Sequence, residues 1–174
     1  MANRSYTSRR ELEQYSFHPA MTLLVPLAAI VLQVLITKPF AKFAIVDLPL
    51  IATIFFAVAR RSPIAGTLTG AIIGLCQDAL TNQPIGVNGM AKCVVGYTAA
   101  SIGVKVDVEN IGTRVLMNFG FSILQSILLY GIQRGLLGQP GFHLLWVHEL
   151  IRAAANTAIS LPIFLLLDRG KRMI

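Results

Sequence analysis

Apolar residues along this chain gather into six nearly continuous runs, and the polar residues fall mainly between them. The runs lie near 20–37, 43–59, 64–81, 86–104, 114–133 and 147–167. A membrane-crossing helix needs about 20 predominantly apolar residues, within a range of roughly 17 to 25, so each run predicts a span. The first (AMTLLVPLAAIVLQVLIT) and the last (WVHELIRAAANTAISLPIFLLL) are long enough without qualification. The second is short and carries Asp47 and Pro49, which fit a first helical turn, where proline forfeits no intrahelical bond. Glycine-rich and only moderately hydrophobic, the third and fourth predict helices surrounded by protein rather than lipid. Outer-membrane strands alternate polar and apolar residues over about ten positions, a pattern these runs lack. The first run also exceeds the roughly 7 to 15 apolar residues of a signal peptide and has no A-x-A-like site after it.

Composition agrees with the pattern. The 174 residues are 55% hydrophobic and 13% charged, against about 25% charged in average soluble proteins. Mean hydropathy is +0.66. A disordered chain, a disulfide scaffold and a water-exposed enzyme domain are excluded, and the fold class predicted is an all-α integral membrane protein of six transmembrane helices. Basic residues set its direction. Ten of them (Arg4, Arg9, Arg10, Arg60, Arg61, Lys105, Arg114, Arg169, Lys171 and Arg172) fall on the side shared by both termini, and four (Lys38, Lys42, Arg134 and Arg152) on the other. That bias predicts cytoplasmic termini: an N-terminal segment 1–19, the helical domain 20–167, and a basic tail 168–174. The net charge of +7 is scattered between apolar blocks, so it indicates span ends and no nucleic acid. The N-terminal segment mixes Leu12, Tyr15 and Phe17 with Arg9, Arg10, Glu11 and Glu13, which suits either a short interfacial helix or a loosely ordered tail. Phe142 and Trp146 are expected at headgroup level. No internal repeat supports an inverted-repeat transporter.

The most informative spacing is Gly66, Gly70, Gly74 and Asp78 in the third run. Four-residue steps place all of them on one helix stripe, and glycines there let another helix backbone approach closely. The stripe serves either plain helix packing or a partner. A carboxylate inside a span is costly unless paired or hydrated, which makes Asp78 a functional candidate. At a helix C-terminal end the dipole also disfavours it. Lys92, about two turns into the next run, is the expected cation, since its stem can snorkel; alternatively Asp78 caps a loop through Asn82 and Gln83 in water. Pro84, Gly86 and Gly89 form a turn and helix start, and Gly96 and Gly103 continue a small-residue face. Glu149, Arg152 and Asn156 make one polar stripe on the last run: an internal salt bridge, a partner contact or the rim of a polar cavity. Asn118 and Gln125 are placed to hydrogen-bond neighbouring helices.

Nothing points to catalysis, a metal or a cofactor. His18, His143 and His148 lack H-x-x-x-H spacing, and neither a G-x-S-x-G elbow nor a phosphate loop occurs. Cys76 and Cys93 read as small core hydrophobes.

Residues 46–92, VDLPLIATIFFAVARRSPIAGTLTGAIIGLCQDALTNQPIGVNGMAK, resemble the rod shape-determining protein MreD family. The resemblance rests on Pro49 near the start of the second span, spaced glycines leading to G-L-x-x-D (Gly74, Leu75, Asp78), and P-x-G at Pro84 and Gly86. G-Y-T-A-A from Gly96 and Tyr97 resembles the family's fourth span. The resemblance implies a bacterial inner-membrane protein with a fold similar to the substrate-binding subunits of energy-coupling-factor transporters. It also implies partnership with an MreC-like single-span protein and, directly or through it, with a RodA-type glycosyltransferase and a class B penicillin-binding protein. The expected function is non-enzymatic: a membrane subunit that helps couple cytoskeletal filaments to sidewall peptidoglycan synthesis, presenting a groove to a partner's membrane segment. Since one architecture hosts unrelated functions, a vitamin-type binding subunit of a transporter is the alternative. Against it, few polar and aromatic groups are available to converge on such a ligand.

Overall fold

The computed structural model describes residues 15–16, 19–37, 45–108, 110–139, 145–169 and 172–173, and its architecture is all-helical. Six helices follow in order: α1 (Pro19–Thr37), α2 (Leu48–Arg60), α3 (Pro63–Thr81), α4 (Val87–Gly103), α5 (Ile111–Gly131) and α6 (Trp146–Asp168). A π-helical turn at Ile132–Leu136 extends α5. A two-residue antiparallel bridge joins Tyr15–Ser16 to Arg172–Met173, so the two ends of the described chain meet on one side of the bundle. The readings made for residues 1–14, Phe17, His18, Lys38, Lys42, Phe142, His143 and Lys171 lie outside the described residues.

Local sequence explains the helix limits. Asp47 caps α2, its Oδ1 accepting from the Leu50 N–H at 2.9 Å, and proline occupies the first turn. Arg61 ends α2 in the left-handed region at φ 49°, and Ser62 immediately caps α3 through the Ala65 N–H. That two-residue link forces α2 and α3 into an antiparallel pair. Asn110 caps α5 by accepting from the Gly112 N–H at 2.8 Å.

The second helix is the axle of the bundle. Eleven of its 13 residues, Pro49 to Ala59, are buried, and it touches all five other helices. A helix apolar on every side belongs in an interior. At about 1.5 Å per residue it is too short to cross a hydrocarbon layer of about 30 Å. Its lower half packs Phe55 and Phe56 against Val95, Ala99, Phe121 and Phe164, with Phe55 and Phe164 edge to face at 5.2 Å.

Three helices are long and apolar enough to cross a membrane: α3, α5 with its π extension, and α6. The outside of the bundle is correspondingly apolar. α3 bares Ile64, Leu68 and Ile72, α1 bares Leu24, Leu32 and Leu35, and α6 bares Leu165 and Leu166. Buried instead are Asp47, Lys92, Asn118, Gln125 and Asn156. The expectation that the third and fourth helices are wrapped in protein is corrected for the third; the fourth buries ten of its 17 residues and bares Met90, Val94 and Tyr97. Glycine lines one stripe of α3, while Ile64, Leu68 and Ile72 at the same four-residue step face outward. The enclosed helix is α2.

Candidate functional site

Asp47 sits at the start of α2, only 3% exposed, and organises the polar interior. Its Oδ2 accepts from Lys92 Nζ of α4 at 3.0 Å and from Gln125 Nε2 of α5. Arg152 of α6 approaches the same oxygen at 3.8 Å. The Asp47 backbone N–H donates to Asn156 Oδ1 at 2.8 Å, and Asn156 Nδ2 donates in turn to Ser122 Oγ. Arg152 also lies 3.7 Å from Glu149, which accepts from the Ser126 hydroxyl. From α1, Gln33 clamps the strand of chain on either side: its Nε2 donates to the Val46 carbonyl, and its Oε1 accepts from the Leu48 N–H at 3.1 Å.

Three helices, α4, α5 and α6, therefore reach the carboxylate at the head of α2, and α1 holds the backbone on either side of it. Two carboxylates, Asp47 and Glu149, face two cations, Lys92 and Arg152, so the formal charges cancel. An ion taken out of water costs several kcal/mol unless its geometry and hydrogen bonds are good, and here each group has partners. A second ion pair, Arg114 with Asp168 at 2.6 Å, joins α5 to α6 at the opposite end, and the Arg114 guanidinium also covers the Phe164 ring at 5.7 Å.

The second intramembrane carboxylate is satisfied differently. Asp78, fully buried, reaches from the end of α3 to the start of α4. It accepts from the Gly86 N–H at 2.8 Å, the Asn88 N–H at 3.1 Å, the Gly89 N–H at 3.3 Å and Asn88 Nδ2 at 2.8 Å. Free N–H groups and the dipole make a helix N-terminus a ready anion site, so the penalty for an anion at the C-terminus of α3 is offset by the N-terminus of α4. Gly86 makes the turn possible with φ 103°, a conformation that suits glycine; Pro84 lies exposed at the loop tip.

Both readings of Asp78 are thus corrected. Lys92 pairs with Asp47, and the Asp78 carboxylate caps Gly86, Asn88 and Gly89, while Asn82 and Gln83 donate only to the Asp78 backbone carbonyl. The backbone of Lys92 is pressed onto α3, which sends its side chain away toward the start of α2.

The glycine stripe is filled from within. A methyl placed on Gly70 would lie 2.6 Å from the Lys92 carbonyl carbon, and one on Gly74 2.6 Å from Gly89 Cα. Gly66 meets Gly96 in the same way. No cleft is left on this stripe for a partner's helix; α4 occupies it. The stripe Glu149–Arg152–Asn156 faces the interior and combines the internal salt bridge with hydrogen bonds to α2 and α5. Of the two residues placed to bond across helices, Gln125 does so, whereas the Asn118 amide donates to the Arg114 carbonyl of its own helix. Cys76 is exposed rather than in the core, and Cys93 is half-buried. Among the described residues, no three His, Cys, Asp or Glu side chains cluster as metal ligands.

Sequence reading placed Asp47 as a first-turn residue and missed that it is the centre, along with Gln33, Ser122 and Ser126. The available signal was a carboxylate two residues before Pro49, at the head of a short apolar run.

Apolar outside, with its buried charges either paired to one another or, at Asp78, held by N–H groups, the chain has the build of an all-α membrane protein whose interior is structural. The family model for rod shape-determining protein MreD matches residues 15–169, and the chain belongs to that family. No curated protein and no solved structure matches it.

Proposed function

We propose that the protein is a non-enzymatic subunit of the bacterial cell-elongation complex, lying in the cytoplasmic membrane with both termini inside. In this reading it binds an MreC-like single-span protein. Through it, or directly, it contacts a RodA-type glycosyltransferase and a class B penicillin-binding protein, linking filaments to sidewall peptidoglycan synthesis. The observation that carries the reading is the family match across residues 15–169. The site is in keeping with it: the buried carboxylates hold helices together, and the apolar outer faces are what a neighbouring membrane helix would pack on. A vitamin-type site would draw on interior polar groups such as Asp47, Lys92 and Asn156, which here bond to each other.

Purification of the full chain from its native host in mild detergent tests the proposal. The expected companions are MreC-like and RodA-like proteins. Recovery of transporter ATPase subunits with a bound vitamin would overturn it.

A further inference from the structure

An open groove of about 750 Å³ runs between α1 and α3 on the outer flank of the bundle, clear of the Asp47 centre. Its volume is in the roughly 300–1,000 Å³ range of small-ligand sites. Its walls are almost wholly apolar: Leu27 and Ile30 on one side, Leu68, Ile72 and Ile73 on the other. Beside Thr69 and Cys76 on the α3 wall, the polar lining is Arg60 and Thr22 at one end, where the Arg60 guanidinium donates to the Thr22 hydroxyl at 3.3 Å.

That end has a definite electrostatic sign. Arginine carries five N–H donors and a permanent charge, and Thr22 uses one of them. Arg60 has no carboxylate partner among the described residues. Thr22 lies in the first turn of α1 and Ala65 in the first turn of α3, so two helix N-termini, each with positive dipole ends, flank the arginine. A positive head and an apolar trough complement one class of molecule that a membrane always supplies.

We propose that the groove holds an anionic phospholipid, its phosphate on Arg60 and Thr22 and an acyl chain along Leu27, Leu68 and Ile72. Planar guanidinium groups bind phosphate well because their fork matches its oxygens.

The test uses the full chain extracted from vesicles of equal phosphatidylglycerol and phosphatidylethanolamine, with retained lipid counted by native mass spectrometry. Wild type should retain phosphatidylglycerol at least about fivefold over phosphatidylethanolamine, a ratio equivalent to about 1 kcal/mol. Arg60→Gln should bring the ratio to near one, whereas Lys105→Gln, which removes an exposed cation elsewhere, should leave it unchanged. Ile72→Trp should lower total retained lipid by filling the trough. Equal retention by wild type, or an undiminished preference in Arg60→Gln, would overturn the proposal. If Arg60→Gln fails to fold, wild type and Ile72→Trp still decide it: no preference in the first, or no loss of lipid in the second, rejects the groove.

Discussion

The seam between α3 and α4 and the centre around Asp47 hold the same bundle by opposite means. Along the seam, Gly66, Gly70 and Gly74 remove side chains until two backbones touch; the gain is close dispersion contact, which membrane helices rely on where no hydrophobic effect drives them together. At the centre, Asp47, Lys92, Gln125, Arg152 and Asn156 insert polar groups and bind them to each other. The seam joins two helices that are neighbours in sequence, whereas the centre joins four, and five with Gln33 of α1 on the flanking backbone. Lys92 belongs to both, its backbone in the seam and its side chain in the centre. Close packing thus aims the charge: only because Gly70 admits the Lys92 backbone does the ammonium leave toward α2.

The largest effect should follow from removing one member of the buried charge pair. Lys92→Met takes away the nearest cation of Asp47, leaving Arg152 at 3.8 Å, and should cost about 3–5 kcal/mol, read as a lower midpoint of unfolding in detergent. Next, Gly70→Leu forces a side chain into the Lys92 backbone and should cost about 1–3 kcal/mol or more. Gly120, whose added methyl would meet nothing, is the control: Gly120→Ala should be neutral or gain up to about 1 kcal/mol by the same assay. Equal effects at the two glycines would erase the distinction between seam and surface.

A smaller effect is expected at Asp78, where Asp78→Asn keeps the shape and loses the charge that caps α4. The loss should be about 1 kcal/mol, with faster proteolysis in the 82–86 loop as the more sensitive readout. Least of all should follow from Cys76→Ala, an exposed site outside both regions, within about 0.5 kcal/mol.

The two regions also differ in how far they could be read from sequence. Gly66, Gly70, Gly74 and Asp78 repeat at the helical period, so the stripe was visible, although the identity of the surface filling it was not. A stripe shows that something approaches closely, and only the fold shows that it is α4. Asp47 and Lys92 are 45 positions apart, and Asp47 and Asn156 are 109 apart; no periodicity encodes such a meeting. Assigning Lys92 to Asp78 failed for that reason, since the nearer carboxylate in sequence proved to be served by the backbone N–H groups of Gly86, Asn88 and Gly89. Helix number and the apolar exterior were legible because the runs themselves encode them. That α2 is the enclosed helix was less so, because a short apolar run reads alike whether lipid or protein surrounds it.

The most direct test is a double-mutant cycle on Asp47 and Lys92, with Asp47→Leu, Lys92→Met and the pair together measured by unfolding in one detergent. If the buried charge pair closes the bundle, the double variant should recover at least about 2 kcal/mol relative to the sum of the single changes. Purely additive losses would mean that the two side chains do not act on each other, and would contradict the account.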